Sequence, residues 1–235
     1  MSEFHFKQFS VAHEKSAMKV GTDAVLIGSW AFQNVSKAEG RGLDVGCGCG
    51  VITLMMAQRF PGLQWTGMDL NTTACTEAKS NFERSPFHHQ LSILQGDFAL
   101  LSKYQYYDLI ICNPPYYQDL LKAELEDRNM ARQEKYLPPA VFLQTAFACS
   151  TDHGKVAVVL PLDRKSKWLE IAEDCGWKLE RCCEVSGNVE ATASRYLLQW
   201  SKSLTEKVEY SELALEQSRG QRTQEYQKMT EDFYL

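Results

Sequence analysis

No stretch of this 235-residue chain approaches the roughly 18 consecutive apolar residues that cross a bilayer as a helix. The opening MSEFHFKQFS also lacks the apolar run of a secretion signal. We therefore expect a cytoplasmic protein with no membrane partner. Positive charge is not in excess either: 25 basic against 30 acidic residues leave a formal charge of −5. Indiscriminate coating of nucleic acid needs a basic footprint and is excluded, although a local basic patch is not. The eight cysteines, at 47, 49, 75, 112, 149, 175, 182 and 183, are far too sparse for a disulfide scaffold. Cys47 and Cys49 alternate with glycines and have no second pair at zinc spacing, so they read as small side chains in a tight loop, and no metal is expected. His5, His13, His88, His89 and His153 form no triad or ligand set and read as structural or solvated. Internal repeats, low-complexity tracts and Pro/Gly-rich linkers are missing as well. What remains, 44% hydrophobic and 23% charged, is ordinary globular composition.

The chain offers short apolar strands separated by helix-like segments. The strand candidates are Gly42–Val45, Gln64–Asp69, Leu91–Gln95, Tyr107–Cys112, Val156–Leu160, Leu179–Val185 and Arg195–Trp200. Val51–Arg59 and Thr72–Phe82 read as helices between the early ones, the second placing Ala74, Ala78 and Phe82 on one face. Such alternation predicts an α/β fold: a seven-stranded, mainly parallel, doubly wound sheet. Ser186–Ser194 is only long enough for a hairpin return, which predicts an antiparallel edge strand. We expect one domain over 1–235. Residues 1–40 form an extension ending in a helix over Asp23–Gln33, capped by Thr22 or Asp23. Residues 207–235 form another, with a strand-like Val208–Leu215 and a helix over Thr223–Phe233 packed on the core.

The first strand runs into Asp44-Val45-Gly46-Cys47-Gly48-Cys49-Gly50. Alternate glycines let the backbone turn sharply and approach a ligand beside a helix N-terminus. Taken alone, such a loop is as often a plain tight turn. Asp69, with Leu70 beside it, ends the second strand, where a carboxylate can bind ribose hydroxyls. Gly96-Asp97-Phe98 follows the third; Asp97 can accept from an adenine amino group while Phe98 packs on the ring, or Asp97 can simply cap a helix. Three acids at three successive strand ends converge on one crevice. This ordered set resembles the class I S-adenosylmethionine-dependent methyltransferases, with their Rossmann-like fold. Asp44-x-Gly46-x-Gly48 matches their first motif, Asp69 the ribose-binding acid and Asp97 the adenine-binding acid. The chain has neither the third-glycine spacing of a dinucleotide fingerprint nor a G-x-x-x-x-G-K-[ST], so NAD and nucleoside triphosphates fit less well.

The fourth strand runs directly into Asn113-Pro114-Pro115-Tyr116. Two prolines fix φ and withhold donors, ending the sheet and projecting their carbonyls rigidly. The box resembles that of amino methyltransferases, which modify a planar exocyclic NH2 on adenine, guanine or a glutamine amide. The lone pair of such a nitrogen is delocalised, making it a poor nucleophile. Two acceptors, the Asn113 side-chain oxygen and the Pro114 carbonyl, can bind both hydrogens and stabilise charge developing on nitrogen. Tyr116 can stack on a flipped base. The proton can leave after transfer, so no strong base is needed.

The flanks carry the rest. Phe6-Lys7-Gln8-Phe9-x-Val11-x-His13, then Ala17-Met18-Lys19-Val20-Gly21-Thr22-Asp23, Ala131-Arg132 and the terminal Thr230-x-Asp232-Phe233-Tyr234-Leu235 are similar to the bacterial tRNA1(Val) adenine N6-methyltransferases. The resemblance covers nearly the whole chain. It implies S-adenosylmethionine as cofactor, tRNA as partner, the adenosine 3′ of the anticodon as target, and a segment Lys19–Asp23, with Lys19 and Thr22, closing over the cofactor's methionine end. Arg128 and Arg132 can meet RNA, though Glu124, Glu126, Asp127 and Glu134 beside them equally suit a solvated helix. Arg164, Lys165 and Lys167, with Trp168 nearby, follow the fifth strand on the same edge as the proline box and suit phosphate contact plus stacking. Arg195 and Tyr196 remain ambiguous. No dimer seam is visible, so a monomer is expected. The rivals are a glutamine N5-methyltransferase of release factors, disfavoured by the short segment before the first strand, and a ribosomal RNA amino-methyltransferase. A DNA adenine methyltransferase would need a larger insert than Tyr116–Lys155 offers. A non-catalytic RNA-binding factor is opposed by the intact proline box.

Overall fold

The apolar runs singled out as strand candidates in the sequence become strands, and the runs from Val51 and from Thr72 become helices. A computed structural model describes residues 3–14, 19–36, 39–101, 104–114, 137–203 and 207–235. In chain order these give β1 (Glu3–His5), β2 (Ser10–Ala12), α1 (Thr22–Trp30), β3 (Gly40–Val45), α2 (Val51–Arg59), β4 (Leu63–Asp69), α3 (Thr72–Arg84), β5 (Leu91–Gln95) and β6 (Tyr107–Cys112). There follow α4 (Pro139–Cys149), β7 (Ser150–Pro161), α5 (Lys165–Asp174), β8 (Lys178–Asn188), β9 (Ala193–Ser201), β10 (Glu209–Ser218), β11 (Gln221–Arg222) and α6 (Gln224–Thr230).

The main sheet has the order β11-β10-β8-β9-β7-β6-β3-β4-β5. Strands β3 to β8 match the seven expected ones together with β9, so the mainly parallel, doubly wound core is present. Two features differ from expectation. The described sheet has nine strands, because β10 joins β8 in parallel and β11 folds back on β10. The antiparallel strand β9 is also not an edge; it lies between β7 and β8, paired antiparallel to both. The hairpin after Asn188 forces β9 antiparallel to β8, and the C-terminal strand then covers the edge that β8 would otherwise expose.

The sheet separates two apolar cores. On one face Leu109, Ile111, Ala157, Val159 and Leu197 meet α1, α2, α3 and α6; on the other Ile110, Val156, Val158 and Leu198 meet α4 and α5. Burial on both faces explains why the central strands are unbroken apolar runs rather than alternating ones.

The helices follow local chemistry. The Asn71 side chain accepts from the Thr73 and Ala74 amides and starts α3, whose Ala74, Ala78 and Phe82 are buried as the spacing predicts. Thr223 caps α6 by accepting from the Tyr226 amide. The first helix departs from expectation. Gly21, not Thr22 or Asp23, is its N-cap and no side chain caps it. It stops at Trp30, because Phe32 adopts a positive φ of 59° and donates its amide to Gln199 Oε1 at 2.8 Å.

The two chain ends meet. Lys7 donates its amide to the Phe233 carbonyl at 2.8 Å, and the Tyr234 ring lies 6.3 Å from Phe6 at an interplanar angle of 15°. Phe6, Phe9 and Phe233 are all buried. The aromatic residues of both termini are thus one cluster, closing the face that carries α1 and α6.

Gly50, at φ 82°, is the tightest glycine near the crevice: a Cβ there would sit 2.4 Å from the Phe82 ring. Gly50→Ala should combine about 1 kcal/mol of left-handed strain with roughly 1–3 kcal/mol of overpacking. Urea denaturation should show a loss of that combined size with an unchanged m-value.

Candidate active site

Strand order reverses at β3, with β4 and β5 on one side and β6 and β7 on the other. A crevice forms beyond the carboxyl ends of the strands at such a point. Val45 of β3 pairs with Cys112 of β6 and with Met68 of β4, so Gly46, Asn113 and Asp69 are consecutive neighbours along that edge. Strands spaced by about 4.8 Å then set Asn113 one strand from the glycine loop, and Asp97 just beyond β5 on the far side. The four sequence motifs become one row because parallel strands in register end together.

The loop is held from below. Gly46 and Cys47 both donate to the Met68 carbonyl, at 2.8 and 3.0 Å. Gly48 donates its amide to Asp69 Oδ2 at 2.9 Å, while Asn71 donates to Asp69 Oδ1 at 2.8 Å. Asp69, at the end of β4, is therefore the anchor of the glycine turn. Gly46 and Gly48 have φ of 71° and 54°, and a Cβ at either would meet nothing within 4 Å. Open space above a backbone of this shape is a cradle for a ligand. Leu70 is 47% exposed next to Asp69, an apolar surface where a base can lie.

Asp44 is fully buried; its Oδ2 accepts from Thr53 Oγ1 at 2.6 Å, and its Oδ1 has no partner. Burial pushes the carboxyl from 3.8 up to about 7, opposed by the Thr53 hydrogen bonds, with a further upward push from nearby Asp69. An orphaned carboxylate oxygen beneath a glycine cradle fits a cationic ligand such as S-adenosylmethionine. The raised value also has a stability consequence. Between about pH 4 and 7 the folded state holds a proton at Asp44 that the unfolded chain has lost, so this group's contribution falls as pH rises through that window. In ligand-free protein Asp44→Asn should remove that fall, read as the difference in melting temperature between the two proteins from pH 4 to 7.5.

The other sequence candidates fall as follows. Asp97 Oδ1 accepts from the Ala99 amide at 2.9 Å, capping the 3-10 turn Phe98–Leu100; the cap is real, and the second carboxylate oxygen is left for a ligand. Phe98 is 4% exposed with its ring 5.5 Å from Phe142, so it is core beneath the crevice. Asn113 and Pro114 are half-buried at the end of β6, and Lys19 and Thr22 are exposed just before and at the start of α1. Pro115, Tyr116, Arg128 and Arg132 lie outside the described residues. Arg164 contacts exposed Asp163 at 3.5 Å, and Lys167 is exposed. Lys165 instead sits 3.9 Å over the Tyr196 ring and 3.6 Å from Glu184. Trp168 is not available for stacking: it is buried in the second core, 5.6 Å from Phe142. Apolar spacing within α5 turns it inward. Arg195 pairs with Asp23 at the start of α1.

Burial pushes the Cys47 and Cys112 thiols well up, and Cys49 to about 12, so they stay protonated and fill space. Among the described residues no group of three His, Cys, Asp or Glu side chains converges as a metal site, and no helix is long and apolar enough to cross a membrane.

Sequence reasoning missed Thr53 and Asn81, and it missed the pairing of Asp23 with Arg195. Asn81 was legible as a polar residue on the face of Ala74, Ala78 and Phe82, and it is fully buried. Thr53 was similarly a polar residue within the apolar run of α2.

The glycine cradle, the acid row and the proline box after β6 define a class I, S-adenosylmethionine-dependent methyltransferase. The model of the methyltransferase small domain matches residues 19–140. A solved structure of a predicted O-methyltransferase from Agrobacterium tumefaciens superposes with a TM-score of 0.71 at 16% identity, covering 90% of this chain and 96% of that one, a likeness of fold alone. The chain is 36% identical to a tRNA1(Val) (adenine(37)-N6)-methyltransferase of Flavobacterium johnsoniae, over 99% of both chains. It is 39% identical to one from Yersinia pestis, over 99% of this chain and 93% of the relative. It belongs to the tRNA1(Val) (adenine(37)-N6)-methyltransferase family.

Proposed function

We propose that this protein methylates the exocyclic N6 of adenosine 37 in tRNA1(Val), the nucleotide 3′ of the anticodon. The observation that carries this reading is the register Val45–Cys112, which sets Asn113 and Pro114 beside the cofactor cradle. S-adenosylmethionine supplies a methyl group made electrophilic by its sulfonium. Gly46, Gly48 and the orphaned Asp44 oxygen suit the amino-acid end, with Lys19 and Thr22 closing over it; Asp69, Leu70, Asp97 and Phe98 suit the adenosine end. The Asn113 oxygen and the Pro114 carbonyl accept the two N6 hydrogens, drawing the lone pair out of the ring and into line with the methyl. With the cofactor bound, its methyl group would pass from sulfur to N6, and the extra proton on nitrogen would leave to solvent. Pro115 holds the turn rigid, and Tyr116 stacks on the flipped base.

Arg164 and Lys167 suit phosphates of the anticodon arm, and Arg128 and Arg132 are further candidates for RNA contact by their residue type. Lys165, braced between Tyr196 and Glu184, adds charge from a fixed position. The protein acts as a single-domain monomer in the cytoplasm, and the chemistry as written requires no metal.

Labelled S-adenosylmethionine, incubated with unmodified tRNA1(Val) and with the same transcript carrying guanosine at 37, tests this. Nucleoside analysis should find label as N6-methyladenosine in the first and none in the second. Equal labelling of both would place the target elsewhere, and transfer to a release-factor glutamine would favour the rival amide chemistry.

A further inference from the structure

Asn81 belongs to no motif used so far and His13 closes the N-terminal one without an assigned role, yet both are buried, at 0% and 8% exposure. Asn81, on α3, spends its whole amide. Its Nδ2 donates to the Cys49 carbonyl at 2.8 Å and to the Ala12 carbonyl at 2.9 Å. Its Oδ1 accepts from the Ala12 amide at 3.0 Å and from Arg84 Nη2 at 2.7 Å. Cys49 lies between two glycines of the cofactor loop, and Ala12 is the last residue of β2. One side chain therefore replaces a strand partner for β2 and grips the glycine loop at the same time.

The next residue, His13, continues the chain of contacts: its Nδ1 accepts from the Val20 amide at 2.9 Å. Val20 lies in the segment Lys19–Thr22, which runs into the first residue of α1. Arg84, the other donor to Asn81 Oδ1, also pairs with Glu3 Oε1 at 2.7 Å, fastening β1 to α3. A contiguous series of hydrogen bonds thus runs from the Cys49 carbonyl through Asn81 and β2 to His13 and Val20.

We propose that Asn81 and His13 are positioning residues for the cofactor: they tie the glycine loop to the N-terminal segment Lys19–Thr22, so that the two sides of the crevice are held as one unit. The inference rests on the reading of Lys19–Asp23, to which that segment belongs, as the cover of the cofactor. Neither residue touches a reacting atom. Their contribution is to keep Val20 and its neighbours in the binding conformation before the ligand arrives, which removes an ordering cost that would otherwise weaken affinity.

His13→Leu keeps an apolar body and loses the acceptor for Val20; His13→Asn keeps an acceptor near the Nδ1 position. Asn81→Asp keeps both acceptor functions and loses the two donors. Each full-length variant is taken well below its melting temperature, and two quantities are read: calorimetric affinity for S-adenosylhomocysteine, and hydrogen–deuterium exchange at residues 19–22 with and without that ligand. His13→Leu and Asn81→Asp should bind about tenfold or more weakly, the equivalent of one net hydrogen bond, with exchange at 19–22 raised in the free protein. His13→Asn should recover most of both. A residue that served stability alone would lower the melting temperature and leave both readouts unchanged, which overturns the proposal. If ligand fails to slow exchange at 19–22 in the unaltered protein, the cover reading fails and the proposal falls with it. If ligand protects the segment equally in the unaltered protein and in His13→Leu, only the positioning proposal fails.

Discussion

Asn113→Ala should abolish methyl transfer to tRNA while leaving the cofactor site nearly intact. Asn113 follows Cys112, whose pairing with Val45 sets it next to the glycine loop, and it is half-buried there. Its side-chain oxygen is one of two acceptors assigned to the N6 hydrogens. Removing a preorganised electrostatic partner of developing charge costs about 100–1,000-fold in rate. The loss should fall on the single-turnover rate rather than on binding, because the acceptor is needed most when nitrogen becomes positive. Affinity for S-adenosylhomocysteine should change by less than about tenfold, one lost hydrogen bond at most. Asn113→Asp retains acceptor oxygens and should keep more activity than the alanine variant. A single-turnover rate in Asn113→Ala within a few-fold of the unaltered protein would remove the proline box from the mechanism.

Asp69→Ala should weaken cofactor binding by about 100-fold or more. Two separate functions are lost together. The carboxylate suits a ribose diol, and hydrogen bonds to a charged group contribute roughly 1.5–3 kcal/mol each. It also receives the amides of Gly48 and Asn71, at 2.9 and 2.8 Å, so its removal strips the glycine turn of its support and orphans two donors. Asp69→Asn keeps one acceptor oxygen but loses the charge, and should fall between the two. Calorimetry with S-adenosylhomocysteine measures both. Binding by Asp69→Ala within a few-fold of the unaltered protein would dismiss Asp69 as the ribose acid, leaving it a structural anchor.

Both predictions depend on neighbours that are far apart in the chain. Asp44, Asp69, Asp97 and Asn113 could each be picked from the sequence because each lies at or just beyond the end of an apolar strand. Their order was enough to indicate one crevice, since parallel strands end on the same side. Asp97 shows the limit of such reading: on paper it is a cap or a ligand-binding acid, and the hydrogen bond from the Ala99 amide shows that it caps. Trp168 shows a different limit. Beside three cations it reads as a stacking platform, but its helical spacing from Ala172 turns it into the core.

The sequence by itself determined the alternation of strands and helices, the row of acids, the glycine turn, the proline box and the family, because these depend on local patterns. Periodicity, turn chemistry and short motifs are all properties of neighbouring residues. Only the tertiary structure decided that β10 would cover β8, that β9 would sit inside the sheet, and that the aromatic residues of the two termini would pack as one cluster. It alone also joined Ala12 to Cys49 through Asn81, and Asp23 to Arg195. These are contacts between residues tens or hundreds of positions apart, selected by how two faces of one sheet are covered. No local signal encodes them, because their energy exists only once the partners have been brought together.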